Sequence, residues 1–368
     1  MIKLSKPYIP DIAFEKALEV MRSGNLVQGA YVLKFEEELK KYLGSKHVIV
    51  VSSGTAALHL SLLALGIGPG DEVIIPSFTF PATANVVELV GAKPVFIDIT
   101  IDDYCIDVSR IESAITPKTR VIMPVHEFGQ SAGMDEIIAL CKKYHLSLVE
   151  DAACALGSEY NGKKAGTFGE FGCYSFHPRK AVTTGEGGAV VTEDDELARK
   201  VRSLRNHGIE IINQKVEFNF AGLNYRMTDF QAVLGYFQML EIEEFILERM
   251  TLAGFYDQKL AGIPEIIIPE KIPGRKNVYQ SYHILLDSRL NRDDVKKQLL
   301  EKGIETNYGA NALGILNFYK EKYDLKEGAY PISELAFTQG LALPLSHYLT
   351  EDDINHVCSS LIEICNGR

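Results

Sequence analysis

The run Phe171-Gly172-Cys173-Tyr174-Ser175-Phe176 leads into His177-Pro178-Arg179-Lys180, then Thr183-Thr184-Gly185-Glu186-Gly187-Gly188, and closes on Gly188-Ala189-Val190-Val191-Thr192. The outer runs are short and apolar, as buried strands are, and they bracket a loop that carries a lysine. No acidic neighbour makes Lys180 a plain surface ion pair. Upstream, Leu146-Ser147-Leu148-Val149 reads as another buried strand, ending in Glu150-Asp151. A carboxylate at one strand end and a lysine beyond a later one suit an enzyme that holds pyridoxal phosphate. The amine forms a Schiff base with the cofactor aldehyde, and the carboxylate keeps the pyridine nitrogen protonated.

Outward from this stretch, strands are expected at 47–51, 72–75, 94–97, 120–123 and 146–149. Helices are expected near 55–65, 81–90, 109–115 and 134–144. Such alternation predicts a mainly parallel sheet covered by helices on both faces. Two further helices, 11–22 and 31–43, precede it, with Ala13, Ala17, Leu18 and Met21, then Leu33, Phe35, Leu39 and Leu43, at helical spacing. Residues 228–260 read as one long helix, which Gly262-Ile263-Pro264 ends. Beyond it, strand-like 265–268, 280–286 and 303–306 mix with helical 292–302, 332–339 and 350–365. The expected organisation is a large α/β domain over 1–245 and a smaller α+β domain over 246–368.

Bulk properties narrow the function. The chain of 368 residues carries a net charge of -11, which argues against a nucleic-acid surface. Six cysteines without CxxC pairing fit thiols of a reducing cytosol. No run is long and apolar enough to span a membrane, and the N-terminus lacks the pattern of a signal peptide, so a cytoplasmic protein is expected. The nine histidines show no ligand spacing, and no metal is expected.

Each candidate residue has a plainer reading beside the chemical one. Ser52-Ser53-Gly54-Thr55-Ala56-Ala57 follows a strand and opens a helix, where free N–H groups attract a phosphate; alone, it is an ordinary N-cap. Ser175 can reach the same phosphate, or simply bond backbone. Phe80 can stack on a flat heterocycle or belong to the core. Asp151 can be a structural carboxylate, although ligands of open α/β sheets bind at the carboxyl ends of strands. Lys180 can be a solvated loop lysine. His126, in Val125-His126-Glu127-Phe128, lies near the site or is a satisfied core histidine.

The chain resembles the DegT-type sugar-nucleotide aminotransferases, pyridoxal-phosphate enzymes with the aspartate-aminotransferase fold. The resemblance rests on Ser53-Gly54-Thr55-Ala56-Ala57-Leu58-His59-Leu60, Thr79-Phe80, Val149-Glu150-Asp151-Ala152-Ala153, Ser175–Lys180, Thr184–Gly188 and Leu223-Asn224-Tyr225-Arg226-Met227-Thr228-Asp229. It implies fold type I, with a seven-stranded sheet. It implies that Lys180 is the Schiff-base lysine and proton shuttle, that Asp151 pairs with the pyridine nitrogen, and that Phe80 stacks on the ring. Gly54, Thr55 and Ser175 would hold the phosphate, and Asn224 would reach the phosphate site of a neighbouring subunit, making a homodimer. Asn25, Gln28, His177 and Arg226 would lie on the substrate side. Cys154 stands where the family usually has Gln or His near the phenolic oxygen, and a thiol is a weaker hydrogen-bond partner. Tyr308-Gly309-Ala310-Asn311-Ala312-Leu313 replaces a usual Pro-x-His segment near the substrate. The implied reaction moves the amino group of L-glutamate to a nucleotide-linked keto-deoxysugar, at carbon 4 rather than carbon 3, for amino-sugar or surface-polysaccharide synthesis. The alternatives are a free keto-cyclitol substrate, or a regulator that binds the cofactor without catalysis. A dehydratase branch of the family has histidine at the lysine position, so Lys180 favours transamination.

Overall fold

Seven strands, here numbered in chain order, form the central sheet: β1 (His47–Val51), β2 (Glu72–Pro76), β3 (Lys93–Ile97), β4 (Thr119–Ile122), β5 (Ser147–Asp151), β6 (Phe171–Ser175) and β7 (Gly188–Thr192). A computed structural model describes residues 1–367. The spatial order is β1-β7-β6-β5-β4-β2-β3, with β7 alone antiparallel to its neighbours. The strands are apolar along most of their length because both faces are covered. Period-two alternation sends Ile49, Val51, Val73, Ile75 and Val121 into one core, while Val48 and Val50, and Ile74 and Ile122, enter clusters beyond the other face. Helices Gly54–Ala64 and Asp195–Leu204 supply the first core, through Leu58, Leu60, Val201 and Leu204.

The C-terminal segments build a second cluster. A three-stranded antiparallel sheet (Ile266–Ile267, Tyr282–Leu286, Gly340–Leu343) packs with helices Ile242–Leu260, Arg292–Glu301 and Glu351–Asn366 around Tyr256, Tyr282, Leu299 and Val357.

Four readings are corrected here. The 228–260 pattern is two helices, Asp229–Met239 and Ile242–Leu260. The first buries Val233 against Ala13 and Ala17 of helix Asp11–Ser23, and the second buries Tyr256 and Leu260 in the C-terminal cluster. One straight rod cannot face both. Segment 303–306 is not a strand; Ile304 forms a single bridge to Ile2. The third strand is instead Gly340–Leu343, whose four residues include no β-branched side chain to announce it. Leu18, Met21 and Leu33 stand exposed and outside the core. The helix Asp195–Leu204 and the hairpin Ile209–Ile212/Lys215–Phe218 had no counterpart in the expected elements. That hairpin turns on Asn213 and Gln214, both at positive φ (50° and 64°), a two-residue connection of the kind that matches strand twist. No described helix is long and apolar enough to cross a membrane.

Candidate active site

Where the strands end, the chain leaves a cavity of about 430 Å³. At the end of β5, alternation splits two adjacent carboxylates. Glu150 turns toward a loop and accepts the N–H groups of Gly166 (2.7 Å), Phe168 (2.6 Å) and Gly169 (2.9 Å), with His126 Nε2 at 2.9 Å. Asp151 lines the cavity. It is 4% exposed and accepts from Thr83 Oγ1 (2.8 Å) and the Ala153 N–H (3.1 Å), while its carbonyl accepts the N–H of His126, whose Nδ1 accepts the Ala132 N–H. His126 is therefore a satisfied core histidine. Burial raises the Asp151 carboxyl above its usual range, against the Thr83 hydroxyl, the Ala153 N–H and the Lys180 charge.

Lys180 enters the cavity from the loop after β6. Its Nζ donates to Cys154 Sγ at 2.9 Å. Burial pushes the Cys154 thiol up, while the Lys180 charge pulls it down and Glu127 pushes it further up. All six cysteines are free, and Cys154 is the one that is not fully buried. Ser53 caps helix Gly54–Ala64 by accepting the Ala56 N–H at 3.0 Å, which leaves the first turn open to an anion. Gly54 fits there because a side chain would strike Ser175 Cβ at 2.8 Å, and a side chain at Gly188 would meet the Ser53 carbonyl at 2.5 Å. The helix end and the strand end are thus pressed into one cup. Phe80, 64% exposed, stands at its lip.

Gly54, Thr55, Phe80, Asp151, Cys154, Ser175, His177 and Lys180 all line this cavity. Asn25, Gln28, Asn224 and Arg226 do not. They gather along another edge, where Asp229 accepts the Gly29 and Val32 N–H groups, Arg226 bonds Asn206, and Gln28, with its amide oxygen turned inward, accepts from Arg205 at 3.1 Å. Thr83, Glu127, Gln280 and Asn307 are among the cavity residues missing from the sequence reading. Glu127 carried the one available signal, a charge inside the otherwise buried 121–134 stretch. Among the described residues, no group of three or more His, Cys, Asp or Glu is placed to hold a metal.

The family model for the DegT/DnrJ/EryC1/StrS aminotransferase family matches residues 8–362. The chain belongs to this family. It is 40% identical to the GDP-perosamine synthase of Caulobacter vibrioides, over 91% of this chain and 90% of that protein. It is 36% identical to the UDP-4-amino-4-deoxy-L-arabinose–oxoglutarate aminotransferase of Shewanella sediminis, over 100% and 99%. The PLP-form of Spr1654 from Streptococcus pneumoniae superposes with a TM-score of 0.93 at 27% identity, covering 99% of this chain and 98% of that one. As a DegT-family aminotransferase the protein uses pyridoxal phosphate and acts on small molecules. The residues fit that cofactor: a buried carboxylate that suits the pyridinium, a helix N-terminus and a hydroxyl that suit the phosphate, and a lysine in the same cavity.

Proposed function

We propose that this aminotransferase moves the amino group of L-glutamate onto carbon 4 of a nucleotide-linked keto-deoxysugar, for the synthesis of an amino sugar. One observation carries the site: Lys180, Asp151 and the open first turn at Gly54 line the same cavity. The substrate reading is supported by relatives whose names specify nucleotide-linked amino sugars, one of them a 4-amino sugar.

Pyridoxal phosphate, when bound, supplies the electron sink that loosens the bond to the α-proton of the donor. Lys180 Nζ would take up that proton and give it back. The Asp151 carboxylate holds the pyridinium charge, and Thr83 and the Ala153 N–H fix its two oxygens. The Gly54 and Thr55 backbone and the Ser175 hydroxyl seat the phosphate. Phe80 covers the ring from the lip. Asn25, Gln28, Asn224 and Arg226 serve a neighbouring copy's site in a homodimer, in keeping with their place outside the cavity of their own chain. The exposed Ile211, Val216 and Phe218 of the hairpin give a second copy an apolar surface to cover. The free thiols suit work in the cytoplasm.

The test pairs L-glutamate with GDP-, UDP- and dTDP-linked 4-keto-6-deoxyhexoses and with a free keto-cyclitol. Formation of 2-oxoglutarate with a nucleotide-linked sugar, and a new amine at carbon 4 by NMR, is the expected result. Turnover of the free cyclitol alone would overturn the reading.

A further inference from the structure

Glu127 is a carboxylate in an unusual place. It is 4% exposed and lines the cofactor cavity with Lys180, Cys154 and Asp151. Its carboxylate accepts a long hydrogen bond from the adjacent Phe128 N–H at 3.3 Å. Burying a carboxylate with so little compensation is costly. The turn that carries it is nonetheless held firmly. Phe128 adopts φ 53°, a left-handed conformation that a large residue pays for. Its ring stacks on His283 at 4.4 Å and 19°, and packs edge-on to Phe78 and Tyr104. The Gly129 carbonyl next door accepts from Ser158 Oγ (2.6 Å) and the Val278 N–H (3.2 Å). Backbone strain and three packing partners therefore keep one acid in the wall of the site.

We propose that Glu127 is a positioning residue that acts through Lys180: its carboxylate, in the wall of the same cavity, favours the protonated form of the Lys180 nitrogen. The inference rests on Lys180 being the amine that carries the cofactor. The electrostatics agree. Burial lifts the Glu127 carboxyl to about 7, the Lys180 charge opposes that rise, and the Asp151 charge adds to it. Other charged groups face it as well. Cys154 shares the first cavity, and Asp102, Asp103 and Glu270 line a second, small cavity on its far side, together with His283. His283 is held neutral there, its basicity lowered to about 3 by burial. Asp151 discourages ionisation of Glu127, and Lys180 favours it.

The test is a pH titration of the visible absorbance band of the cofactor-loaded, full-length enzyme, for wild type, Glu127→Gln and Glu127→Asp. The band reports the proton on the nitrogen that joins Lys180 to the cofactor. Glu127→Gln should move its midpoint down by about one pH unit, a tenfold loss of proton affinity. Glu127→Asp, which keeps the charge, should restore most of the shift. An unchanged midpoint in Glu127→Gln would overturn the proposal. If Glu127→Gln does not fold, Glu127→Leu replaces it, since an uncharged apolar side chain suits the buried wall; failure of both to fold would make Glu127 a structural residue and also overturn it. Lys180→Ala separates the two claims. A visible band that survives in Lys180→Ala refutes the lysine assignment, whereas a band lost there and unmoved in Glu127→Gln refutes only the role of Glu127.

Discussion

The two walls of the active-site cavity come from different kinds of chain. One wall is the carboxyl edge of the large sheet: Ser53–Thr55 after β1, Asp151 ending β5, Ser175 ending β6, and Lys180 just beyond. Each lies at or a few residues beyond a strand end, and each belongs to a motif that can be quoted from the sequence. The other wall is assembled from Leu4 and Ser5 near the N-terminus, Gln280 and Ser281, Asn307 and Gly309, and Ala342 to Leu345. No local pattern unites these. Asn307 is held by a backbone pair with Ala342, and Leu345 by the Leu4 carbonyl. The difference teaches where chemistry and selectivity reside. A strand end fixes a side chain to within its rotamers, which suits proton transfer, whereas segments brought together by packing suit the recognition of a variable substrate.

The largest effect should come from the sheet wall. Lys180→Ala should abolish the visible cofactor band and cut transamination by at least about 10³-fold, read by 2-oxoglutarate release. Retained turnover would remove the distinction between the walls altogether. Stability should respond next. The folded-state carboxyl of Glu127 sits at about 7, above its ordinary 4.5, so the folded protein binds the extra proton and loses stability as pH rises between those values. In cofactor-free protein, Glu127→Gln should therefore be more stable by roughly 3 kcal/mol at pH 8 and little different below pH 4.5, by urea unfolding. A gap that persists in acid would place the effect elsewhere. The smallest change belongs to the far wall: Asn307→Ala should raise the KM for the keto sugar about tenfold with kcat little altered. A fall in kcat with an unchanged KM would blur the contrast between the walls.

Much of the near wall was legible because its signals are local. Apolar runs of strand length, small residues at a helix start, and a lysine between two strands carry their meaning within a few residues. The far wall and the support for Asp151 were not. Thr83 sits 68 positions from Asp151 in the chain, and nothing at either place announces their 2.8 Å bond. Gly340–Leu343 hid as a strand because it lacks β-branched residues and follows a helix directly. The break at Leu240-Glu241 also escaped, since no proline or glycine marks it and two different packing partners impose it.

By itself, then, the sequence determined the alternation of strands and helices, the mainly parallel covered sheet it implied, and the motifs at the strand ends. Those depend on short-range backbone geometry and on the period of apolar side chains. The tertiary structure alone decided that Glu150 turns to a loop while Asp151 turns to the cavity, that Nζ of Lys180 meets a thiol, and that a strained turn seats Glu127 beside them. Those outcomes depend on which surfaces pack together, and a chain read residue by residue does not contain the distances between its remote parts.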